Sequence, residues 1–67
     1  MNYVTYRGVR PRDPKQALRV VDELGTAVHV IALDSADEAA QVARRLKGTV
    51  HDDRSTAVRE ALRLSGD

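Results

Sequence analysis

The sequence predicts one small α/β domain in which strands and helices alternate as β-α-β-α-β-α, with helices packed on a three-stranded sheet. Three observations carry that prediction. A nearly continuous apolar run over residues 27–33 has the length of a single strand. Two segments open on helix-capping residues and close on glycine, residues 13–25 and 35–48. A third helical stripe follows Asp52 and Asp53. With 67 residues the chain has room for one domain.

Residues 2–6 alternate loosely and contain Tyr3, Val4, Thr5 and Tyr6, types that favour strands. Gly8 and Pro11 break the pattern, so residues 7–12 read as a loop or an extended basic arm. Asp13 is a capping residue, Pro14 suits the first helical position, and Gln16 stands where a capping box takes Glu or Gln. Ala17, Leu18, Val21 and Leu24 then share one helical face and Gly25 follows, which predicts a helix over residues 14–24. Residues 26–33 include the β-branched pair Val30-Ile31 and read as the central strand, buried on both faces. Ser35 caps a second helix and Glu38 completes its capping box. Ala39, Val42, Ala43 and Leu46 form its apolar stripe. Asp37 and Glu38 at its start, and Arg44, Arg45 and Lys47 at its end, complement the helix dipole; Gly48 ends it. Thr49–His51 is a short extended piece, an edge strand. Asp52 or Asp53 caps a third helix over residues 54–64, with Ala57, Val58, Ala61, Leu62 and Leu64 on its inner face. Residues 65–67 are a frayed end. The single domain, 1–67, thus divides into a strand with a basic arm (1–12), a core (13–64) and a tail (65–67).

Composition narrows the function. The apolar residues include nine Val, nine Ala and six Leu, with no Phe and no Trp. A core of such small pieces is thin, and walling off a pocket of ~300 Å³ or more with it is difficult. There is no cysteine, which excludes disulfides and thiolate metal sites. Eleven basic and ten acidic residues leave a formal charge of +1. The isoelectric point near 8.2 lies below the value of about 9 often found in dedicated nucleic-acid binders. No apolar run approaches the ~18 residues of a membrane span, and the first residues lack the pattern of a signal peptide. A soluble cytoplasmic protein without a membrane association is expected.

Chemistry has few places to sit. His51, Asp52 and Asp53 form the densest ionisable cluster, with His29 a remote candidate partner. A metal site or acid–base pair there needs three or more converging groups, so His29 and His51 must meet across adjacent strands. The plainer reading makes an aspartate the helix cap and His29 a hydrogen-bonded core histidine. Ser35, Ser55 and Ser65 fall at helix starts and in the tail, and the isolated glycines build no phosphate cradle. Neither an enzyme nor a cofactor or metal site is expected. The basic arm is the strongest positive feature: Arg7, Arg10, Arg12 and Lys15 follow Tyr3 and Tyr6, and cations interleaved with aromatics suit phosphates and stacked bases. The plainer alternative is a solvated loop. Arg59 and Arg63, four apart, form a second basic row with Arg54 near its start, and Glu60 partly neutralises it.

Residues 53–64 read Asp-Arg-Ser-Thr-Ala-Val-Arg-Glu-Ala-Leu-Arg-Leu and resemble the second helix of ribbon-helix-helix repressors and antitoxins. On that resemblance, residues 28–33 correspond to the ribbon and residues 35–47 to the first helix. It implies two chains that pair their ribbons in the DNA major groove, with Ser55 touching phosphate. The residues themselves point first to a small non-enzymatic protein-interaction module, an accessory, regulatory or inhibitory protein that acts by binding another protein. It would offer an exposed edge strand, residues 2–6 or Thr49–His51, to a partner protein or to a second copy. DNA binding of the ribbon-helix-helix type is the alternative, and a structural subunit of a larger assembly such as a virion is the second alternative.

Overall fold

The computed structural model describes residues 1–9, 19–25 and 27–66. The described elements are β1 (Asn2–Arg7), β2 (Arg19–Leu24), β3 (Val28–Leu33), α1 (Ala36–Leu46), β4 (Thr49–His51) and α2 (Arg54–Ser65). The strands form one sheet in the order β2-β3-β1-β4, every neighbouring pair antiparallel. The class is mixed α/β, as expected. The sheet, however, has four strands and not three, and the described elements run β-β-β-α-β-α instead of alternating.

The difference lies in residues 19–24. The first part of the helix expected over 14–24, with its Asp13 cap, lies outside the described residues; the remainder is β2. A strand buried along its whole length, as β3 is, must satisfy backbone groups on both edges. β1 takes one edge and β2 the other, with Val20 opposite Ile31 and Leu24 opposite Val28. Val20 and Val21 suit that role through their β-branched side chains. Gly25 adopts φ of +66°, the left-handed conformation that serves a turn between strands as readily as a helix end. β2 also carries a register shift between Val20 and Asp22. There the Val21 carbonyl accepts a hydrogen bond from Arg54 Nη2 at 2.8 Å.

β1 is likewise an inner strand, not an edge. It pairs with β3 from Asn2↔Leu33 to Arg7↔Val28 and with β4 from Tyr3↔His51 to Thr5↔Thr49. Alternation along the strands separates two apolar clusters. Val4, Tyr6, Ile31 and Leu33 lie on one face beneath Ala39, Val42 and Ala43 of α1. Val28 and Val30 lie on the other against Ala57 and Ala61 of α2, with Tyr3, Val21, Leu24 and Leu64 at the margin. One helix therefore covers each face, and the alanines bring the helices close. Thr5 Oγ1, fully buried, reaches α2 directly and donates to the Ala57 carbonyl at 2.9 Å.

The caps follow the sequence. Ser35 Oγ accepts from Glu38 N–H at 3.1 Å, and Asp53 Oδ1 accepts from Thr56 N–H at 2.7 Å. The end of α1 does not. Lys47, not Gly48, takes the left-handed conformation, at φ 58° and ψ 43°. Gly48 is small for another reason: a Cβ there would stand 2.6 Å from the Thr5 carbonyl oxygen and 2.9 Å from Tyr6 Cβ. At the chain end, Ser65 belongs to α2 and Gly66 caps it, so the tail expected over 65–67 is helical at its start; Asp67 lies outside the described residues.

Candidate functional site

The histidines do not meet. His29 projects from β3 on the α1 face, its ring 5.2 Å from that of Tyr6. His51 sits opposite Tyr3 on the α2 face of β4, and β1 runs between β4 and β3. His29 is buried, with Nε2 3.2 Å from the Gly8 carbonyl oxygen and Nδ1 3.4 Å from Glu23 Oε1. With a proton on Nε2 it donates to Gly8. Nδ1 then faces the Glu23 carboxylate at ion-pair distance but outside hydrogen-bond geometry. Among the described residues no group of three or more His, Cys, Asp or Glu is placed to hold a metal ion. No helix among them is long and apolar enough to cross a membrane.

The aromatic part of the expected arm is taken up by the core. Tyr6 is buried under α1 and its hydroxyl donates to the Val9 carbonyl at 2.7 Å, so its ring has no free face for a base. Tyr3 is half-buried against the α2-side cluster. Arg7 ends β1 in an exposed position, while Arg10, Arg12 and Lys15 lie outside the described residues.

The α2 residues come together differently from the sequence expectation. Ala57, Ala61 and Leu64 face the sheet, whereas Leu62, expected inside, is 56% exposed and Val58 is only partly covered. Successive residues on a helix are ~100° apart, so 57/61 and 58/62 are adjacent stripes. The sheet selects the alanine stripe because it permits the close approach that Thr5 exploits. Val58 and Leu62 instead line an open groove of about 400 Å³ with Arg54, Ser55 and Arg59. Around the helix, a second groove of about 480 Å³ lies against β4, lined by His51, Thr56, Arg59, Glu60 and Arg63. Arg59 borders both.

Electrostatics in this corner are specific. Arg54 is turned to β2, with its guanidinium 3.6 Å from the Asp22 carboxylate in addition to its bond to Val21. Arg63 Nε and Nη2 donate to the two Glu60 carboxylate oxygens, and this holds the Glu60 carboxyl below its usual range. Thr56 donates to both Asp53 oxygens, through its backbone N–H and its hydroxyl. Those bonds, with a smaller contribution from Arg59, hold the Asp53 carboxyl low as well. Arg59 itself is exposed and makes no hydrogen bond or close ion pair among the described residues. Ser55, also exposed, stands beside it.

On the other face of β4, Val50 is 43% exposed opposite Val4. Sequence reasoning placed Val58 and Leu62 on the inner face of the helix and Val50 in the edge strand without a role of its own. The signal that separates Val58 and Leu62 from the core is the pairing of small Ala57 and Ala61 with larger neighbours one position on. Comparison with family models, with curated proteins and with solved structures returns no match.

Proposed function

We propose that this chain is a small non-enzymatic module that acts by binding another protein, through the solvent side of α2 and the neighbouring β4 edge. The observation that carries the reading is Leu62, a large apolar side chain 56% exposed beside Val58 on a helix whose adjoining positions are arginine and serine. Apolar residues rimmed by arginine are the composition of protein interfaces. A surface selected for phosphate alone gains nothing from a leucine at that position.

The test is affinity capture with the full chain and with Leu62→Glu, checked by circular dichroism for an unchanged fold. A protein retained by the wild type and lost by the variant supports the proposal. Equal retention by both, or retention that disappears on nuclease treatment, overturns it. The second outcome would favour the DNA-binding alternative, in which Ser55, Arg59 and Arg63 contact phosphate. That alternative needs the ribbon-like strand Val28–Leu33 to pair between chains, and here both edges of that strand are occupied by β1 and β2 of the same chain. A large homogeneous self-assembly in light scattering would instead favour the structural-subunit alternative.

A further inference from the structure

We propose that β4 and the groove beside it form a docking site for an extended acidic segment of a partner protein, which adds as a fifth strand. This rests on the protein-binding reading above and names the mode and the partner's chemistry.

The sheet ends in two unlike edges. At β2 the strand is irregular between Val20 and Asp22, carries the acids Asp22 and Glu23, and is tied to Arg54 of α2. Bulges and edge charges of this kind discourage strand addition. β4 has none of them. Its residues are Thr49, Val50 and His51, it pairs with β1 on one side, and no described element pairs with it on the other. Among the described residues its guards are its shortness and the exposed Asp52 that follows it.

An added strand places alternate side chains on opposite faces. On the α1 face they meet Val50, half-exposed and apolar. On the α2 face they meet Thr49 and His51 and the groove carrying Thr56, Arg59, Glu60 and Arg63. Glu60 is already engaged by Arg63 and is mostly buried, its side chain 19% exposed. The Asp53 oxygens are both engaged by Thr56. Arg59, exposed and acting on Asp53 only through space, is therefore the cation among the described residues of this groove that is open to a new carboxylate. The segment that fits alternates acidic and apolar residues, with main-chain bonds supplying affinity and the alternate side chains supplying choice of partner.

The probes are a blocked synthetic peptide alternating glutamate and valine, its lysine counterpart, and a short DNA duplex, each titrated into the isotope-labelled full chain and followed by amide shifts. The glutamate peptide should shift Thr49, Val50, His51 and Arg59, with binding in the range of about 1 mM for so short a ligand. Arg59→Glu should weaken it by about five-fold or more and strengthen the lysine peptide, as expected for one exposed ion pair reversed. Methylating the peptide nitrogens along one edge should abolish binding and along the other leave it intact, a pattern only a docked strand produces, and one that leaves the protein unaltered. Equal response to the glutamate and lysine peptides, shifts away from β4, or equal binding of the two methylated isomers overturns the inference. So does a stronger response at the same residues to DNA, or to a second copy of the chain with a concentration-dependent mass. Failure of the peptide while capture still depends on Leu62 removes this inference alone; nuclease-sensitive capture removes the reading beneath it.

Discussion

Replacing Gly48 by alanine tests how closely the end of α1 packs on β1. The added Cβ would lie 2.6 Å from the Thr5 carbonyl oxygen, 2.9 Å from Tyr6 Cβ and 3.1 Å from Val4 Cγ1. Ordinary contact begins near 3.4 Å, so the carbonyl must retreat by about 0.8 Å, that is 3.4 minus 2.6. It has little freedom to do so. Thr5 is fully buried, paired to β3 and β4, and bonded to α2. Overpacking costs about 1–3 kcal/mol, and a backbone obstacle places this case at the upper end. A domain of this length has on the order of 3–10 kcal/mol in total. The melting temperature should therefore fall by about 12–24 °C, at roughly 4–8 °C per kcal/mol. The neighbouring change, Lys47→Gly, should act in the opposite sense. It relieves a left-handed non-glycine residue worth about 1–2 kcal/mol, less the entropy glycine brings, for a net gain of about 0.5–1 kcal/mol. Thermal and urea unfolding followed by circular dichroism measure both. If Gly48→Ala proves nearly neutral and Lys47→Gly destabilises, then Gly48 is a helix-ending residue after all and the close approach to β1 is wrong.

Other consequences follow from the same contacts. Thr5→Val keeps the shape but removes the bond to the Ala57 carbonyl, and should lower the urea-derived stability by about 1 kcal/mol with an unchanged slope. Ala57→Leu puts a large side chain between α2 and the sheet and should cost about 1–3 kcal/mol, with loss of dispersion in the amide spectrum. Asp53→Ala should lower the melting temperature at neutral pH by removing the α2 cap. Because folding depresses the Asp53 pKa, that contribution is fully present above the unfolded value near 3.8 and is lost as pH falls through the folded one. The difference between wild type and Asp53→Ala should therefore shrink in acid, and a constant difference from neutral pH down would show that the carboxylate is not the capping group.

How much of this fold was legible in the sequence depended on how local each signal is. Ser35, and the pair Asp52-Asp53, mark helix starts from a few neighbouring residues; Ser35 accepts from the Glu38 N–H, and of the two aspartates it is Asp53 that caps α2. β3 was legible because a run apolar in both parities has no polar face to expose. β2 was not. Leu18, Val21 and Leu24 keep a helical spacing, and a left-handed glycine follows either structure. What decides for a strand is the second edge of β3, a demand made far along the chain and invisible in residues 19–24 themselves. The site suffered from the same blindness. Tyr6 beside a run of arginines looks available for stacking until α1 covers it, and Leu62 looks buried until the alanine stripe is seen to take the sheet. Ser55, Arg59 and Arg63 were read from the sequence as surface groups and do lie there, but the apolar residues that give their surface its character were assigned to the core.

A sheet with a helix on each face leaves a second molecule few routes of approach. Among the described elements, the faces are closed by α1 and α2, and the unsatisfied backbone is confined to the outer edges of β2 and β4. β2 is irregular and acidic, and Arg54 ties it to α2, so a strand arriving there meets a distorted ladder and like charge from any acidic partner. β4 presents an undistorted ladder and a half-exposed valine on one face, and on the other it adjoins Arg59 of α2, which has no close partner among the described residues. That arginine also borders the groove of Val58 and Leu62. The apolar stripe of α2 and the open edge of the sheet are thus neighbouring parts of one corner. The thin Ala-rich core contributes to this arrangement directly. Because α2 rests on Ala57 and Ala61, Leu62 is left facing solvent and Val58 only partly covered, which sets an apolar stripe beside the open edge of β4.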